Sequence, residues 1–286
     1  MAKILGGIGT SHVPAIGRAI ARGEQQTPYW APFFGGYPPA QRWLAKTRPD
    51  VAVVFYNDHG LNFFLDKMPT FAIGAAAEYR NADEGWGLSV APPVAGDPEL
   101  SWAIVEGVVA RDFDPTTCQE MLIDHAVTVP LQLLWPDHAA PPVRIVPIAI
   151  NTVQHPLPSA RRCFALGQAV GAAIEAFPRD LDVVVIGTGG LSHQLDGERA
   201  GFLNAAFDRE CLEKIVDEPE ALTRYTNDEL VELAGTQGIE LLMWLAMRGA
   251  LRKPVRTHQH YHAPVSNTGG ALLVMDETPG AAALAA

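Results

Sequence analysis

Cysteine, basic residues and long apolar runs are all scarce in this sequence, and each scarcity argues against a class of protein. The three cysteines, Cys118, Cys163 and Cys211, are odd in number and show no C-x-x-C spacing, so we expect free buried thiols rather than a disulfide framework. No run of about 18 apolar residues marks a membrane span, and the first residues are too short an apolar stretch for a signal peptide. The expected location is a reducing cytoplasm.

Acidic residues outnumber basic ones, with 32 Asp and Glu against 21 Lys and Arg, and the formal net charge is -11. This charge repels a phosphate backbone, and no basic stripe with interleaved aromatic residues offsets it, so nucleic acid is not an expected partner. An anionic small substrate would need locally placed donors such as Arg, Ser or backbone amides. Beyond this, the bulk charge bears only on solubility.

The remaining composition is that of a folded globular chain. It has 286 residues, of which 48% are hydrophobic and 19% charged, and it contains neither a low-complexity tract nor an internal repeat. This length fits one large α/β domain or two small ones. Because no segment has the composition of an interdomain linker, we predict a single domain over residues 1–286.

Apolar runs and stretches of helical periodicity alternate along the chain. Several runs are apolar throughout, which favours strands covered on both faces. The alternation predicts an α/β fold with a mixed, mostly parallel central sheet flanked by helices. Strands are predicted at residues 3–8, 51–56, 70–75, 143–151, 181–186 and 270–275, and helices at 39–46, 98–110, 159–176, 205–217 and 239–247.

Two histidines directly follow predicted strands. His12 lies beyond the first strand in a glycine-containing turn, and His59 follows the apolar run 51–56. Open α/β sheets place ligands at the carboxyl ends of their strands, so both are candidate metal ligands. Asn57 and Asp58 are candidates for the hydrogen bond that fixes the tautomer of a ligand imidazole. The structural alternatives are a helix cap for His12 and an Asx turn for Asn57 and Asp58.

A lone carboxylate and a further histidine complete the candidate set. Glu240 stands at the predicted start of the apolar helix 239–247, where an unpaired charge is costly. A helix N-terminus offsets at most roughly 2 kcal/mol of that cost, and a cation such as Fe(II) offsets more. His193 follows a glycine-rich turn and suits general acid–base work. That turn lacks both G-x-G-x-x-G spacing and a P-loop lysine, which argues against a phosphate cradle.

His12, His59 and Glu240 are together the two-histidine, one-carboxylate set that holds Fe(II) and leaves positions open for substrate and O₂. His193 is then free for proton transfer. Two alternatives use the same residues: a zinc hydrolase that activates water, and a non-catalytic binding protein on the same scaffold. The placing of four such residues at four element edges favours an active site.

Four further histidines each have two interpretations in the sequence. His125 follows an aspartate and is a candidate substrate-contacting residue, with a buried ion pair as the structural alternative. His258, His260 and His262 alternate, so in a strand they share one face and form a possible second metal site. A solvated strand face is the alternative for these three residues.

Six short segments spread over nearly the whole chain carry a family resemblance. They are residues 9–17 (GTSHVPAIG), 56–59 (YNDH), 69–74 (PTFAIG), 82–87 (ADEGWG), 187–194 (GTGGLSHQ) and 238–244 (GIELLMW). Jointly they resemble the catalytic β subunit of protocatechuate 4,5-dioxygenase, a class III extradiol ring-cleaving dioxygenase related to gallate and 3-O-methylgallate dioxygenases. The resemblance implies that His12, His59 and Glu240 are iron ligands and that His193 is the catalytic acid–base residue.

The resemblance also implies a substrate and a reaction. Residues 261–268 (YHAPVSNT) are similar to a family stretch near the substrate, so Ser266 or Asn267 would donate a hydrogen bond to the ring carboxylate. The implied reaction is non-haem Fe(II)-dependent extradiol (meta) cleavage of a carboxylated catechol, such as protocatechuate or gallate, by O₂. The alternative substrate is 3-O-methylgallate or another catechol. The implied setting is the catabolism of aromatic compounds, including those of lignin degradation.

Partner subunits are the last implication of the resemblance. Two-subunit members of the family pair this chain with a small helical α subunit, and some gallate enzymes carry an equivalent region fused after the catalytic domain. Only a short stretch follows the last predicted strand here. We therefore expect either a separate α subunit or a stand-alone variant, in a homo- or hetero-oligomer.

Overall fold

Strands and helices alternate through most of the chain. The structure, a computed structural model, describes residues 1–85 and 87–277, so residue 86 of the 82–87 segment and the chain end lie outside the described residues. The strands are β1 (Lys3–Thr10), β2 (Val51–Tyr56), β3 (Phe71–Gly74), β4 (Glu78–Asn81), β5 (Val94–Ala95), β6 (Thr116–Cys118), β7 (Leu122–Ile123), β8 (Arg144–Ile150), β9 (Asp182–Thr188), β10 (Val255–Val265) and β11 (Thr268–Asp276). The helices are α1 (Pro14–Ala21), α2 (Ala31–Phe34), α3 (Pro38–Thr47), α4 (Pro98–Val109), α5 (His125–Leu134), α6 (Ala160–Ala176), α7 (Ala205–Asp217), α8 (Pro219–Leu222), α9 (Asn227–Ala234) and α10 (Leu241–Gly249).

The large sheet has the strand order β10, β11, β1, β9, β2, β8, β3, β6. Its centre is parallel, because β1 pairs with β9, β9 with β2 and β2 with β8 in the same direction. On either side β11 and β3 join in the antiparallel sense, and β10 forms one edge antiparallel to β11. The predicted mixed, mostly parallel sheet flanked by helices is confirmed.

Alternate residues of the central strands pack on opposite faces of this sheet. Val53 and Val185 belong to a core that includes side chains of α4, α6, α7 and α10. Val54 and Ile186 belong to a second core that includes side chains of α1, α3 and α5. Because both faces are covered, apolar residues run continuously along the central strands, as in other parallel sheets. Polar side chains that act on a ligand are therefore expected at the strand ends rather than on the faces of the sheet.

Some helices depart from the sequence expectation where local chemistry competes with periodicity. Helix α5 is absent from the predicted helices because Pro130 lies inside it, and proline normally ends a helix. The predicted helix 239–247 begins only at Leu241, after a short 3₁₀ turn over Gly238–Glu240. Glu240 is therefore the N-cap residue of α10 rather than part of its first turn. This correction matters, because the 3₁₀ turn aims the carboxylate toward the sheet edge described below.

The cysteines and the helix lengths bear on the environment of the protein. Cys118, Cys163 and Cys211 are free thiols, and the last two are buried. Within the described ranges, no helix is both long and apolar enough to cross a membrane.

Candidate functional site

Three central strands end at one level and deliver the candidate histidines to one edge of the sheet. Thr10 at the end of β1 pairs with Thr188 at the end of β9, and Phe55 of β2 pairs with Gly187. His12 and His59 follow β1 and β2 within three residues of the strand ends. The loop after β9 brings in a third histidine, and α10 is packed on the same strands. The carboxyl ends of parallel strands thus converge where ligands normally bind in such sheets.

Glu240 is buried and faces the histidines. Its Oε1 atom lies 3.4 Å from Nε2 of His12, and Asn57 donates its side-chain N–H to the same oxygen over 3.3 Å. Its Oε2 atom accepts the backbone N–H of Gly190 at 2.7 Å. Burial raises the pKa of Glu240, but the nearby imidazoles, His12 foremost, outweigh it and hold that pKa well below its usual value. Glu240 is therefore an ionised carboxylate in a nearly water-free position.

A glycine permits this placement of the carboxylate. Gly189 has a φ of +108°, and a Cβ atom there would lie only 2.8 Å from both Cβ and Oε2 of Glu240. A side chain at this position would push the carboxylate away from the histidines. The glycine thus allows the turn after β9 to approach the Glu240 side chain closely.

His59 is oriented by Asp124 rather than by its sequence neighbours. Its Nδ1–H donates to Oδ2 of Asp124 at 3.0 Å, and its backbone N–H donates to the same oxygen at 2.9 Å. Burial lowers the pKa of His59, but the Asp124 carboxylate and the more distant Glu240 and Glu84 together raise it to about 9. Burial raises the pKa of Asp124, and the opposing effect of His59 lowers it to about 2.

Of the two residues predicted to contact the His59 ring, Asn57 lies beside it and Asp58 does not. Asp58 does not bond to the His59 ring. It accepts the backbone N–H groups of residues 60–63 and so shapes the loop that carries His59. Asn57 places its side-chain nitrogen 3.3 Å from Nε2 of His59 and 3.3 Å from Oε1 of Glu240. Asn57 thus lies between two candidate ligands, and Asp58 acts through the backbone, as the Asx-turn alternative anticipated.

His12 and His193 each have one ring nitrogen engaged. Nδ1 of His12 lies 3.0 Å from the hydroxyl oxygen of Thr188, while its Nε2 faces Glu240. Nδ1–H of His193 donates to the carbonyl of Leu191 at 2.9 Å, so the proton of the neutral ring sits on Nδ1. Nε2 of His193 lies 3.8 Å from Oε2 of Glu240. His193 is thus beside the candidate metal ligands with a nitrogen able to accept a proton.

The structure adds His125 to the group. Its ring centroid lies 4.1 Å from that of His59 and 5.5 Å from that of His12. Its Nδ1 lies 2.6 Å from Oε2 of Glu84, so a buried ion pair forms, but with Glu84, a partner that the sequence did not suggest. Burial, together with the charge of His59, lowers the pKa of His125. One nitrogen from each of His12, His59 and His125 lies within 4.8 Å of the others, so these three histidines are a possible ligand set. Among the described residues, the predicted set of His12, His59 and Glu240 does not meet this spacing.

The alternating histidines of β10 belong elsewhere. Nε2 of His258 lies 2.8 Å from the carbonyl oxygen of Gly36, and the ring of His260 packs where a Cβ atom of Gly36 would sit. Among the described residues, the groups of three with metal-binding geometry do not include His258, His260 or His262. His258 and His260 of the edge strand β10 instead contact the segment after α2. The second metal site is therefore not supported.

The sequence matches one protein family over most of its length. Residues 6–273 match the family model described as the catalytic LigB subunit of aromatic ring-opening dioxygenase. The chain belongs to this family. LigB dioxygenases are metal-dependent, and the histidine-rich cluster at the sheet edge is a possible metal site of this chain.

Several curated proteins are similar to this LigB family member. A gallate dioxygenase of Pseudomonas putida is 42% identical over 196 residues, which cover 68% of this chain and 57% of that protein. The match thus spans a little over half of the length of that relative. A 2,3-dihydroxyphenylpropionate/2,3-dihydroxicinnamic acid 1,2-dioxygenase of Rhodococcus is 31% identical over 285 residues, covering 84% of this chain and 87% of the relative.

One solved structure is similar to this chain in fold alone. The crystal structure of an uncharacterized protein from Escherichia coli K12 aligns with a TM-score of 0.57 at 15% sequence identity. The alignment covers 94% of this chain and 99% of that one.

A pocket of about 740 Å³ opens at the candidate site of this LigB chain. Its lining includes the candidate residues His12, Asn57, His59, His125, His193, Glu240, Ser266 and Asn267. Ser266 and Asn267 form the turn between β10 and β11, and Ser266 adopts a left-handed φ of 59°. The sequence-predicted residues are thus brought together, apart from Asp58, which is not part of the described lining.

Sequence reasoning missed two residues of the pocket region. Arg18, four residues after Pro14 on α1, is the one Lys or Arg in the described lining of the pocket. Helical spacing could not have indicated it, because His12 precedes α1 and a separation of six residues does not place two side chains on one helix face. Thr188, which contacts His12, lies in the 187–194 segment but carries no charge that would have marked it.

Proposed function

We propose that this chain catalyses extradiol cleavage of a carboxylated catechol by O₂, as a single catalytic domain that uses Fe(II). The carrying observation is the convergence of two imidazoles and one ionised carboxylate in a single pocket, with His193 beside them. Membership of a ring-opening dioxygenase family favours this chemistry over the zinc hydrolase that the same residues allow. The similarity to a gallate dioxygenase and to a 2,3-dihydroxyphenylpropionate/2,3-dihydroxicinnamic acid 1,2-dioxygenase also supports it.

In this proposal the residues that would hold Fe(II) are His12, His59 and Glu240. Glu240 is ionised and only 5% exposed, and a buried anion is costly unless a cation or strong hydrogen bonds compensate it. Asp124 orients the ring of His59 and Thr188 contacts the ring of His12, as outer partners of metal-ligating histidines commonly do. Fe(II) bound here would supply a template for the two catechol oxygens and an electron path to O₂.

Glu240 is a better third ligand than His125. A site of three histidines would leave the Glu240 carboxylate beside the metal without using its charge. Two imidazoles and one carboxylate are also the set that non-haem iron oxygenases use. We assign His125 instead to the substrate, because its ring stacks at 4.1 Å on His59 and lines the same pocket.

His193 carries the proton transfers in this proposal. Because Nδ1–H is committed to the carbonyl of Leu191, Nε2 is the atom that accepts a proton from a catechol hydroxyl. The same atom returns a proton later in the reaction. Oε2 of Glu240 lies 3.8 Å from this nitrogen, so the carboxylate is adjacent to the atom through which both protons pass.

Arg18, Ser266 and Asn267 are the proposed contacts of the substrate carboxylate. The chain has a net charge of -11, so an anionic substrate depends on a local cation, and Arg18 is the one in the described lining. Ser266 and Asn267 add neutral donors at the hairpin turn. Gallate and protocatechuate both carry the carboxylate that this arrangement fits, and 3-O-methylgallate is the alternative.

A small helical subunit is the proposed partner, in a homo- or hetero-oligomer. Val153 and Leu195 line the pocket yet are 53% and 57% exposed, and apolar side chains at a pocket rim favour a covering partner. The free thiols of the three cysteines support the reducing cytoplasm as the location.

The reaction itself is tested with ¹⁸O₂. Protein loaded with Fe(II) under argon is mixed with gallate or protocatechuate and exposed to ¹⁸O₂, and uptake of O₂ is compared with loss of the aromatic ring. We expect one O₂ consumed for each ring opened and ¹⁸O in the product. Zn(II)-loaded protein is the control. Ring opening of gallate or protocatechuate under argon, by either the Fe(II) form or the Zn(II) form, contradicts the proposal.

A further inference from the structure

Asp208 of α7 is a buried carboxylate outside the pocket. It is 1% exposed, and within the described residues it belongs to none of the ion pairs. Its Oδ1 atom accepts the backbone N–H of Ser192 at 2.8 Å, and its Oδ2 atom accepts the Ser192 hydroxyl at 2.7 Å and the Tyr261 hydroxyl at 2.7 Å. A carboxylate in this position is retained only with such donors, because burial without them is costly.

These bonds hold the residue that immediately precedes His193. Asp208 accepts hydrogen bonds from both the backbone N–H and the hydroxyl of Ser192. Oγ of Ser192 in turn accepts the backbone N–H of Asn204 at 2.9 Å. The carbonyl of Ser192 accepts the backbone N–H of Gly269 at 2.9 Å. The turn is thus fixed from α7 on one side and from β11 on the other.

The same turn determines where the proton of His193 sits. The acceptor for its Nδ1–H is the carbonyl of Leu191, which is joined to Ser192 by one peptide bond. A rotation of that peptide would move the carbonyl away from Nδ1 and release the ring. The orientation of Nε2 toward the pocket therefore depends on the residue that Asp208 holds.

Space around Asp208 is tight, which indicates a specific fit. A Cβ atom on Gly269 would lie 2.2 Å from Oδ2 of Asp208, so β11 approaches the carboxylate as closely as a glycine allows. Burial raises the pKa of Asp208 above its ordinary value, and the hydrogen bonds from Ser192 and Tyr261 offset only part of this rise. Three donors and no acceptor around it match the ionised form.

We propose that Asp208 is a positioning residue for His193: it fixes the Leu191–Ser192 peptide and thereby keeps the proton on Nδ1 and leaves Nε2 facing the pocket. The inference rests on the proposed function, because His193 is taken as the acid–base residue. Asp208 touches neither substrate nor metal ligands, so its effect passes through the turn alone.

The first test measures the tautomer of His193 directly and needs no turnover. Protein labelled with ¹⁵N-histidine and loaded with diamagnetic Zn(II) is compared with Asp208→Asn by long-range ¹H–¹⁵N NMR. We expect the Nδ1-protonated tautomer of His193 in the wild type and a shift toward a mixture of tautomers in the variant. An unchanged His193 signal in Asp208→Asn overturns the inference, whether or not the chain opens catechols.

The second test is a double-mutant cycle with Fe(II)-loaded protein. We expect Asp208→Asn to lower kcat about 10- to 100-fold, with KM and iron content unchanged, as for other outer partners of a catalytic group. In a His193→Ala background the same change is expected to cost nothing further, because its target is gone. Equal losses in both backgrounds indicate a merely structural role and overturn the inference. A wild type that opens no catechol contradicts the proposed function instead.

Matched variants complete the design. Glu213→Gln lies on the exposed side of α7 and is expected to change neither readout. Ser192→Ala keeps the backbone bond to Asp208 but removes the hydroxyl bond, so a smaller effect in the same direction is expected. If Asp208→Asn does not fold, Ser192→Ala carries the test, and an unchanged tautomer in that variant also overturns the inference.

Discussion

Nδ1 of His59 and Oδ2 of Asp124 lie 3.0 Å apart, although 64 residues of chain separate them. The same carboxylate caps α5 by accepting the backbone N–H of Ala126 at 2.9 Å. One side chain thus fixes both a candidate metal ligand and the helix that begins with His125. This contact links the folding of α5 to the geometry of the metal site.

Removal of the Asp124 charge is expected to weaken metal binding. In Asp124→Asn the ring of His59 loses its anionic partner, and outer partners of this kind are worth about 10- to 100-fold in metal affinity. Competition between the protein and a chelator for Fe(II) measures the effect. Asp137→Asn, at an exposed position, is the control. Equal affinities of Asp124→Asn and wild type contradict the assigned role of Asp124.

The same pair predicts a pH dependence of stability in chelator-treated protein. The pKa of Asp124 falls from 3.8 to about 2 on folding, so its contribution is complete above pH 3.8 and is lost as the pH falls toward 2. The pKa of His59 rises from 6.5 to about 9, so its contribution is complete below pH 6.5 and is lost as the pH rises toward 9.

Urea unfolding at a series of pH values checks this dependence. Between pH 6.5 and pH 9 we expect the unfolding midpoint of the wild type to fall, because the folded protein loses the His59 proton over this range. The midpoint of Asp124→Asn is expected to change less over the same range. Parallel curves for the two proteins would show that the pair does not couple to folding.

Much of this architecture could be predicted from the sequence, because the strands are apolar on both faces and their ends carry the polar residues. The residues 51–56 and 205–217 form the predicted strand and helix with the same boundaries. Contacts between distant segments could not be predicted. Asp58 is adjacent to His59 in sequence, yet Asp124 makes the ring contact, because the 57–63 loop turns Asp58 onto backbone N–H groups. Helix α5 was not predicted, because Pro130 lies inside it and proline normally ends a helix.

Two substitutions separate the alternative ligand sets. Glu240→Gln keeps the size of the side chain but removes its charge, and we expect iron bound at equal free Fe(II) to fall more than about tenfold. His125→Asn is expected to retain iron and to lose kcat/KM for gallate about tenfold or more, as for a lost hydrogen bond to substrate. Metal analysis after desalting checks both variants. Loss of iron in His125→Asn, with iron kept in Glu240→Gln, would favour the three-histidine set.

Arg18 is expected to set the preference for carboxylated substrates. Arg18→Gln removes the positive charge of the described pocket lining, and we expect KM for gallate to rise about tenfold or more. KM for catechol itself, which lacks the carboxylate, is expected to stay within about twofold. Arg22→Gln, just beyond the end of α1, is the matched control. An equal rise for both substrates would assign Arg18 to the fold of the pocket rather than to the carboxylate.

The EPR spectrum of the Fe(II)-loaded protein with nitric oxide, which stands in for O₂, distinguishes a dioxygenase from the alternatives when it is recorded before and after addition of gallate. The proposal predicts a high-spin iron–nitrosyl signal that gallate reshapes, because substrate and gas share one metal held by His12, His59 and Glu240. It also predicts that Glu240→Gln gives no such signal. A wild type without the signal, or with a signal that no catechol alters, would contradict the dioxygenase function.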